Sequence, residues 1–241
     1  MKKRILIIAA VVCVVALIGF GTLAYFQDYQ EMTNMFAVAG ADDPSNPNGT
    51  MSTTDLFSIK LYETRYDEQT DSVVASEITE TGNTYDDLLP NTVVTKDPTV
   101  ENTGKYDAWI RMKVTLTNAN NWKTALAKHG LTLTDVIQGV DGSKWQSVPQ
   151  QYDPTGSGTL VLTFYLREAL PAEDDAATAA KEDAATLFTS IKIPAELEVA
   201  DLANLASFHI KVRAEAIQAA NNGTNAVEAF ENWDSAMAPV R

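Results

Sequence analysis

Strict alternation of apolar and polar residues marks four stretches of the 241-residue chain, at 57–61, 108–116, 160–166 and 208–216. Such period-two runs predict half-buried antiparallel strands, because successive side chains of a strand point to opposite faces of the sheet. Shorter strands are predicted at 188–193 and at 92–102, where Pro98 implies a sheet edge or a bulge. The pattern predicts an all-β fold, an antiparallel β-sandwich with helical insertions.

Helical spacing interrupts the strands at 121–129, 172–188 and 224–236. The first helix has Asn120 or Asn121 as its predicted N-cap and Gly130 as its end. The second is rich in Ala, Asp and Glu, with acidic residues in its first turn, and is predicted to lie on the surface within an insertion at about 172–206. In the third, Val227, Phe230 and Trp233 or Met237 recur at helical spacing.

The amino-terminal segment resembles a secretory signal. A basic start at residues 1–4 precedes an unbroken apolar run at 5–20, and small residues stand at Thr22 and Ala24. This order predicts that residues 1–24 are a signal peptide, cleaved between Ala24 and Tyr25. The alternative is an uncleaved anchor, since 5–26 is long enough to span a bilayer. In both cases the rest of the chain is expected outside the cell.

Removal of this segment changes the charge and the chemistry of what remains. The full chain carries 18 basic and 32 acidic residues, and loss of residues 1–24 shifts its net charge from −14 to −17. So acidic a chain is not expected to bind nucleic acid, because a phosphate backbone requires a clustered positive surface. The only cysteine, Cys13, leaves with the signal, which excludes disulfides and cysteine catalysis in the secreted chain.

A hydrophobic segment on a tether follows the signal. Residues 25–38 include Phe26, Met35, Phe36 and Val38, and they end in a strand-like stretch at 34–38. Residues 39–54 are polar with two prolines and two glycines, a composition that predicts a flexible linker. The sandwich domain is predicted to occupy 55–241.

The residues that usually carry catalysis are sparse. The two histidines, His129 and His209, stand 80 positions apart, and no H-E-x-x-H, G-x-S-x-G or phosphate-binding loop is present. Both histidines are interpreted as surface residues, and acid pairs such as Asp174–Asp175 as solvated charges. The sequence therefore predicts no catalytic residue, no metal site and no cofactor, and the chain is not expected to be an enzyme.

Four basic residues gather on the polar faces of two predicted strands: Arg111, Lys113, Lys211 and Arg213. The favoured interpretation is that they are solvated and pair with nearby glutamates. The alternative is a basic stripe that docks an acidic partner, such as another copy of this acidic chain.

Four motifs in order resemble the TasA/camelysin (CalY-like) family of secreted Gram-positive matrix proteins, which carry a SipW-type signal peptide. They are Gly21–Asp28 (G-T-L-A-Y-F-Q-D), Asn34–Phe36, the stretch from Leu89-Pro90 through Lys96–Gly104 to Asp107–Met112, and Phe208–Ala219 (F-H-I-K-V-R-A-E-A-I-Q-A). The resemblance implies a jelly-roll-like sandwich and a structural subunit of extracellular biofilm fibres. It also implies a SipW-type signal peptidase as a partner.

A mechanism follows for such a subunit. An unfilled sandwich edge accepts a strand, and the tethered segment 25–38 can fill it in its own molecule or in the next one. We expect donor-strand addition into a head-to-tail homopolymer, with Phe26, Met35, Phe36 and Val38 in the polymerisation strand. The alternative is that this segment is an ordinary first strand of its own sandwich.

Two other function classes stay open. One is a non-polymerising module that binds cell-surface or matrix components. The other, less favoured, is a secreted metalloendopeptidase of the camelysin type, a label that some relatives carry although this sequence has no recognisable zinc-binding motif.

Overall fold

The computed structural model of the chain describes residues 27–38, 57–67, 72–172, 183–205 and 208–237. The predicted signal 1–24 and the predicted linker 39–54 lie outside these ranges. The described residues form an all-β sandwich with helical insertions, as the alternation of apolar residues predicts, and the sandwich is jelly-roll-like, as the resemblance implies. Pairing is antiparallel throughout, except between the first strand and the fourth.

The secondary structure elements are numbered here in chain order. The strands are β1 (Gln27–Val38), β2 (Ile59–Asp67), β3 (Ser72–Thr79), β4 (Thr84–Leu88), β5 (Val93–Thr95), β6 (Thr99–Asn102), β7 (Ala108–Thr117), β8 (Ile137–Gln138), β9 (Trp145–Ser147), β10 (Gln151–Asp153), β11 (Thr159–Leu166), β12 (Ala184–Thr186), β13 (Ser190–Lys192) and β14 (Phe208–Gln218). The helices are α1 (Ala119–Lys128), α2 (Val199–Leu205) and α3 (Ala226–Met237), with a 3₁₀ turn at Leu133–Asp135.

The strands form three sheets. The largest has the order β10-β11-β7-β14-β1-β4, and β9 also pairs with β11. A second sheet has the order β12-β6-β2-β3, and a small third sheet has the order β5-β13-β8. Pro98 lies in the short break between β5 and β6, two strands of different sheets, so this proline separates them rather than interrupting a ladder.

The main core lies between the inner face of the large sheet, the second sheet and helices α1 and α2, whereas α3 packs in a separate, smaller cluster. Val212 of β14 stands opposite Val114 of β7, and Ala214 stands opposite Met112. All four side chains are buried, and they join one cluster with Ile59 and Leu61 of β2. Period-two alternation therefore places its apolar residues where the sequence predicts, because each strand lends one face to the core.

Helix α1 starts earlier than the sequence indicates. The residue before its first turn is Asn118, in the left-handed conformation at φ 54°, and it makes no side-chain cap bond. Its side-chain amide instead donates to the carbonyl of Leu205, at the end of α2. The predicted caps Asn120 and Asn121 are therefore wrong, whereas Gly130 does follow the helix, at φ +72°.

The predicted helix 172–188 is also wrong over its last residues. Residues 184–186 form β12, which extends the second sheet by pairing with β6. Leu187 and Phe188 are buried in the core, and an Ala-rich helix on the surface would leave these two side chains exposed. Residues 173–182 lie outside the described ranges. Because 183–205 supplies two strands and α2, most of the predicted insertion is part of the sandwich.

Three residues of the basic stripe pair with carboxylates of the same chain. The Glu215 carboxylate forms an ion pair with Arg111. It also lies 3.0 Å from Arg213 Nε and 3.3 Å from Lys113 Nζ. Arg111 is buried beneath α3, where its guanidinium pairs with Asp234 and stacks 4.2 Å from the ring centre of Phe230. Pairing with a nearby glutamate, as the sequence predicts, is thus confirmed for three of the four residues. The prediction that all four are solvated is wrong for Arg111, because α3 covers its side chain and leaves it 3% exposed.

Replacing Glu215 by Ala is expected to lower the free energy of unfolding by about 3 kcal/mol, because it removes a buried carboxylate from three cations. The midpoint and slope of urea denaturation measure the loss. The matched control, Glu231→Ala on the exposed side of α3, should change stability by less than about 0.5 kcal/mol. Equal effects of the two substitutions would contradict the importance of this network.

Candidate functional site

Strand β1 occupies a position between two strands that are distant from it in the chain. Ten consecutive residues pair antiparallel with β14, from Gln27 opposite Ile217 to Phe36 opposite Phe208. On its other side β1 runs parallel to β4, with a register irregularity between Phe36 and Val38. We call this position, bounded by β14 and β4, the β1 seat.

The walls of the β1 seat are strongly apolar. On β14, Ile210, Val212, Ala214 and Ala216 are all buried. On β4, Tyr85 and Leu88 are buried as well. An empty seat would therefore expose both apolar surface and the unpaired backbone groups of two strands, and such an edge recruits another strand.

The strand in the seat is more polar than its walls. In register, the four buried positions of β14 stand opposite Asn34, Met32, Gln30 and Asp28 of β1. Directly opposed residues of neighbouring strands share one face of the sheet. Only Met32 among these four is apolar, so backbone hydrogen bonds contribute much of the stability of the pairing between β1 and β14.

The predicted polymerisation residues are only partly within the described structure. Phe36 pairs with Tyr85 and Val38 with Leu88, so two of them stand beside buried residues of β4. Met35 pairs with His209 on β14. Phe26 and the predicted cleavage residues Ala24 and Tyr25 lie outside the described ranges.

The pairing with β14 gives β1 one defined register. In that register Glu31 stands directly opposite Arg213 of β14. A one-residue slip would move every residue of β1 to the other face of the sheet, so the register is strongly specified wherever one face is buried.

Helix α2 contacts β1 and is fastened to α1 through one carboxylate. Asp201 of α2 lies 3.1 Å from Lys128 Nζ and 2.9 Å from His129 Nε2, and its Oδ2 accepts the backbone N–H of Glu198. The Glu198 N–H, followed by His129 and Lys128, lowers the pKa of Asp201 to about 2. Sequence reasoning missed this contact because the partners stand more than 70 positions apart.

Neither a metal site nor a membrane-spanning helix is found in the part of the chain that the structure describes. No group of three or more His, Cys, Asp or Glu side chains there has a geometry suited to a metal ion. No helix among the same residues is long and apolar enough to cross a bilayer.

Comparison of the chain with protein-family models, with curated proteins and with solved structures finds no match. The resemblance to the TasA/camelysin family accordingly stays a prediction that rests on the four sequence motifs. The class of protein is defined by its fold, a β-sandwich whose first strand is held between two strands distant in sequence.

Acid is expected to weaken the hold of α1 on α2. Because the folded state lowers the pKa of Asp201 below its ordinary 3.8, the ionised carboxylate stabilises the fold above pH 3.8. That contribution is lost as the pH falls toward 2. Thermal unfolding between pH 7 and pH 2 should show a steeper loss between pH 4 and pH 2 for the natural chain than for Asp201→Asn.

The control for this prediction is Glu231→Gln, which should leave the acid-dependent slope unchanged because Glu231 is exposed on α3. A constant difference between Asp201→Asn and the natural chain at every pH would contradict the ionic role of Asp201.

Proposed function

We propose that this chain is a secreted structural subunit of extracellular fibres, which assemble when β1 of one copy enters the β1 seat of the next. The observation that carries the proposal is the attachment of β1. It pairs with β14 and β4, and the chain connects it to the rest of the sandwich through residues 39–56, which lead to the buried Phe57 and to β2 in the other sheet.

This attachment makes exchange topologically simple. A strand joined to its neighbour by a hairpin cannot leave without disrupting that neighbour, whereas parallel pairing with β4 excludes a hairpin between β1 and β4. Its other neighbour, β14, lies near the opposite end of the chain. Strand β1 can therefore leave and re-enter without unthreading another element.

The equilibrium between closed monomer and fibre then depends on protein concentration and net charge, and not on the contacts within the β1 seat. Contacts within the seat are the same for a strand of the same chain and for a strand of another copy. The effective concentration of the tethered strand favours the monomer, while high protein concentration favours exchange. A net charge of −17 in the cleaved chain opposes association, so acid or salt should promote it.

Head-to-tail exchange produces an open polymer. Each copy donates β1 at one place and accepts a strand at another, which is a heterologous contact that grows into a filament when the rotation does not close. This arrangement requires no cofactor and no second protein in the fibre. A SipW-type signal peptidase would release the donor strand from the membrane during secretion, coupling export to assembly.

One alternative is favoured by a specific observation. Strand β1 pairs over ten residues within its own chain, so the chain can satisfy its own seat. A secreted module that keeps this arrangement would remain a monomer and act by binding cell-surface or matrix components. The two readings differ in whether strand exchange occurs at high concentration.

Removal of residues 25–38 is expected to abolish filament formation. Chains 25–241 and 39–241 are compared by light scattering and negative-stain microscopy between pH 4 and pH 8. The longer chain should form regular filaments, most readily at low pH. The shorter chain should form none, because it retains the β1 seat but lacks the strand that would enter the seat of the next copy.

A peptide with the sequence of residues 25–38 provides the control for folding. Added to chain 39–241, it should fill the β1 seat, raise the unfolding temperature and suppress irregular aggregation. Filaments of chain 39–241 that match those of the longer chain would contradict the proposal. Monomeric behaviour of chain 25–241 under every condition would favour the binding module instead.

A further inference from the structure

Three side chains with complementary chemistry meet in the dry interior beside β4. Glu63 of β2 and Lys96, between β5 and β6, are both 0% exposed, and Asn83, just before β4, is 6% exposed. One carboxylate joins them, because Lys96 Nζ donates to Glu63 Oε2 at 2.9 Å and Asn83 Nδ2 donates to Glu63 Oε1 at 2.8 Å. An amine and a carboxamide are thus held on the two oxygens of a single acid.

The geometry points to an intramolecular amide bond between the side chains of Lys96 and Asn83, formed with Glu63 as the proton carrier. The reaction needs a neutral amine, a polarised carbonyl and a group that moves protons from the amine to the leaving nitrogen. The three residues and one backbone N–H supply all of these, and no cofactor or oxidant is required.

Each role follows from a contact. Burial lowers the pKa of Lys96, although Glu63 opposes the shift, and so brings the nucleophilic neutral amine within reach. The carbonyl oxygen of Asn83 accepts the backbone N–H of Tyr66 at 2.8 Å, a donor positioned to stabilise negative charge on that oxygen. Glu63 faces both nitrogens between which protons must move.

The atoms balance without any other reactant. Lys96 Nζ attacks Cγ of Asn83, so the Nζ–Cγ bond forms and the Cγ–Nδ2 bond breaks. Two protons leave the Lys96 ammonium, pass by way of Glu63 to Nδ2, and depart with it as ammonium. Glu63 ends as it began, and the protein becomes lighter by one ammonia, about 17 Da.

The neighbouring groups favour this pairing over others. The Asp97 carboxylate, next to Lys96 in sequence, is occupied by the backbone N–H and the hydroxyl of Thr64. The rings of Tyr66 and Tyr85 pack 4.9 Å apart, and the Tyr85 hydroxyl donates to the Thr95 carbonyl. Aromatic walls of this kind keep water away from the reacting groups.

Such a bond would tie the segment before β4 to the segment before β6. It would close a ring from Asn83 to Lys96 that contains β4 and β5, and so restrict the unfolded chain as other cross-links do. Because β4 is one wall of the β1 seat, the bond would also hold that wall in place. Formation of the bond does not depend on strand exchange.

Peptide mapping of the purified chain tests the bond directly. Trypsin should cut after Lys96 if its amine is unmodified, releasing residues 66–96. With the bond present, cleavage at Lys96 is blocked, and residues 66–105 should appear as one peptide lighter by about 17 Da. Fragmentation should show no break within the ring from 83 to 96.

Two variants and a control assign the roles. Glu63→Gln keeps the shape of the side chain but removes the proton carrier, and should slow bond formation by roughly 100-fold or more. Lys96→Arg should abolish it. The control is Lys60→Arg. Lys60 lies on β2, as Glu63 does, and pairs with Glu80, so this variant should retain the complete mass loss.

Other results overturn the inference. Peptide 66–96 at its full mass in the natural chain, after several days at 37 °C, would show that the three side chains are joined only by hydrogen bonds. A loss of 17 Da with normal cleavage at Lys96 would place the change at a cyclised asparagine. Blocked cleavage with loss of water instead of ammonia would place the bond on Glu63.

Discussion

The backbone ladder between β1 and β14 is the interaction on which the large sheet depends. Without β1, the paired residues of β14 lose their partners over ten positions, and β4 is left with no neighbour in that sheet. A β edge of this length beside buried apolar residues is strongly unfavourable in water. The requirement is for a strand, and the chain that supplies it is not specified by the ladder.

The rest of the fold supports this seat from both sides. On β14, the ion-pair network around Glu215 joins the strand to β7, and α3 covers Arg111. On β4, the buried Glu63, Asn83 and Lys96 connect the strand to β2 and to the segment between β5 and β6. The walls are thus held by polar contacts that do not include β1, as the proposed strand exchange requires.

The hydrophobic pattern of the sequence was enough to predict those helices and strands whose conformation is determined by burying one face of the element itself. Strand β7 and the core of β14 alternate strictly, and α3 places Phe230 and Trp233 on its buried side. The pattern was not enough where a neighbouring strand determines the conformation of a segment. Only residues 34–38 of β1 look strand-like, yet the strand begins at Gln27, because pairing with β14 imposes extended backbone on polar residues. The same reason explains β12, which forms against the edge of β6 despite a helix-prone composition.

The candidate site was predictable only in outline. A tethered apolar segment at the amino terminus indicates a donor strand, but nothing in the sequence identifies β14 and β4 as its neighbours. Long-range polar contacts were also invisible, since Glu63, Asn83 and Lys96 come from three separate segments. Contacts between residues far apart in the chain depend on topology, which periodicity does not encode.

Mixed filaments of two single-cysteine chains test the central claim most directly. Thr33 of β1 stands opposite Lys211 of β14, a spacing that a disulfide can bridge. Chain 25–241 contains no cysteine of its own, so Thr33→Cys and Lys211→Cys chains are assembled together and oxidised. The account predicts disulfide-linked dimers of the two variants in filaments but not in monomers, and none when Lys123→Cys on α1 replaces Lys211→Cys. Filaments without that cross-link, when the double variant readily closes a disulfide within one chain, would contradict it.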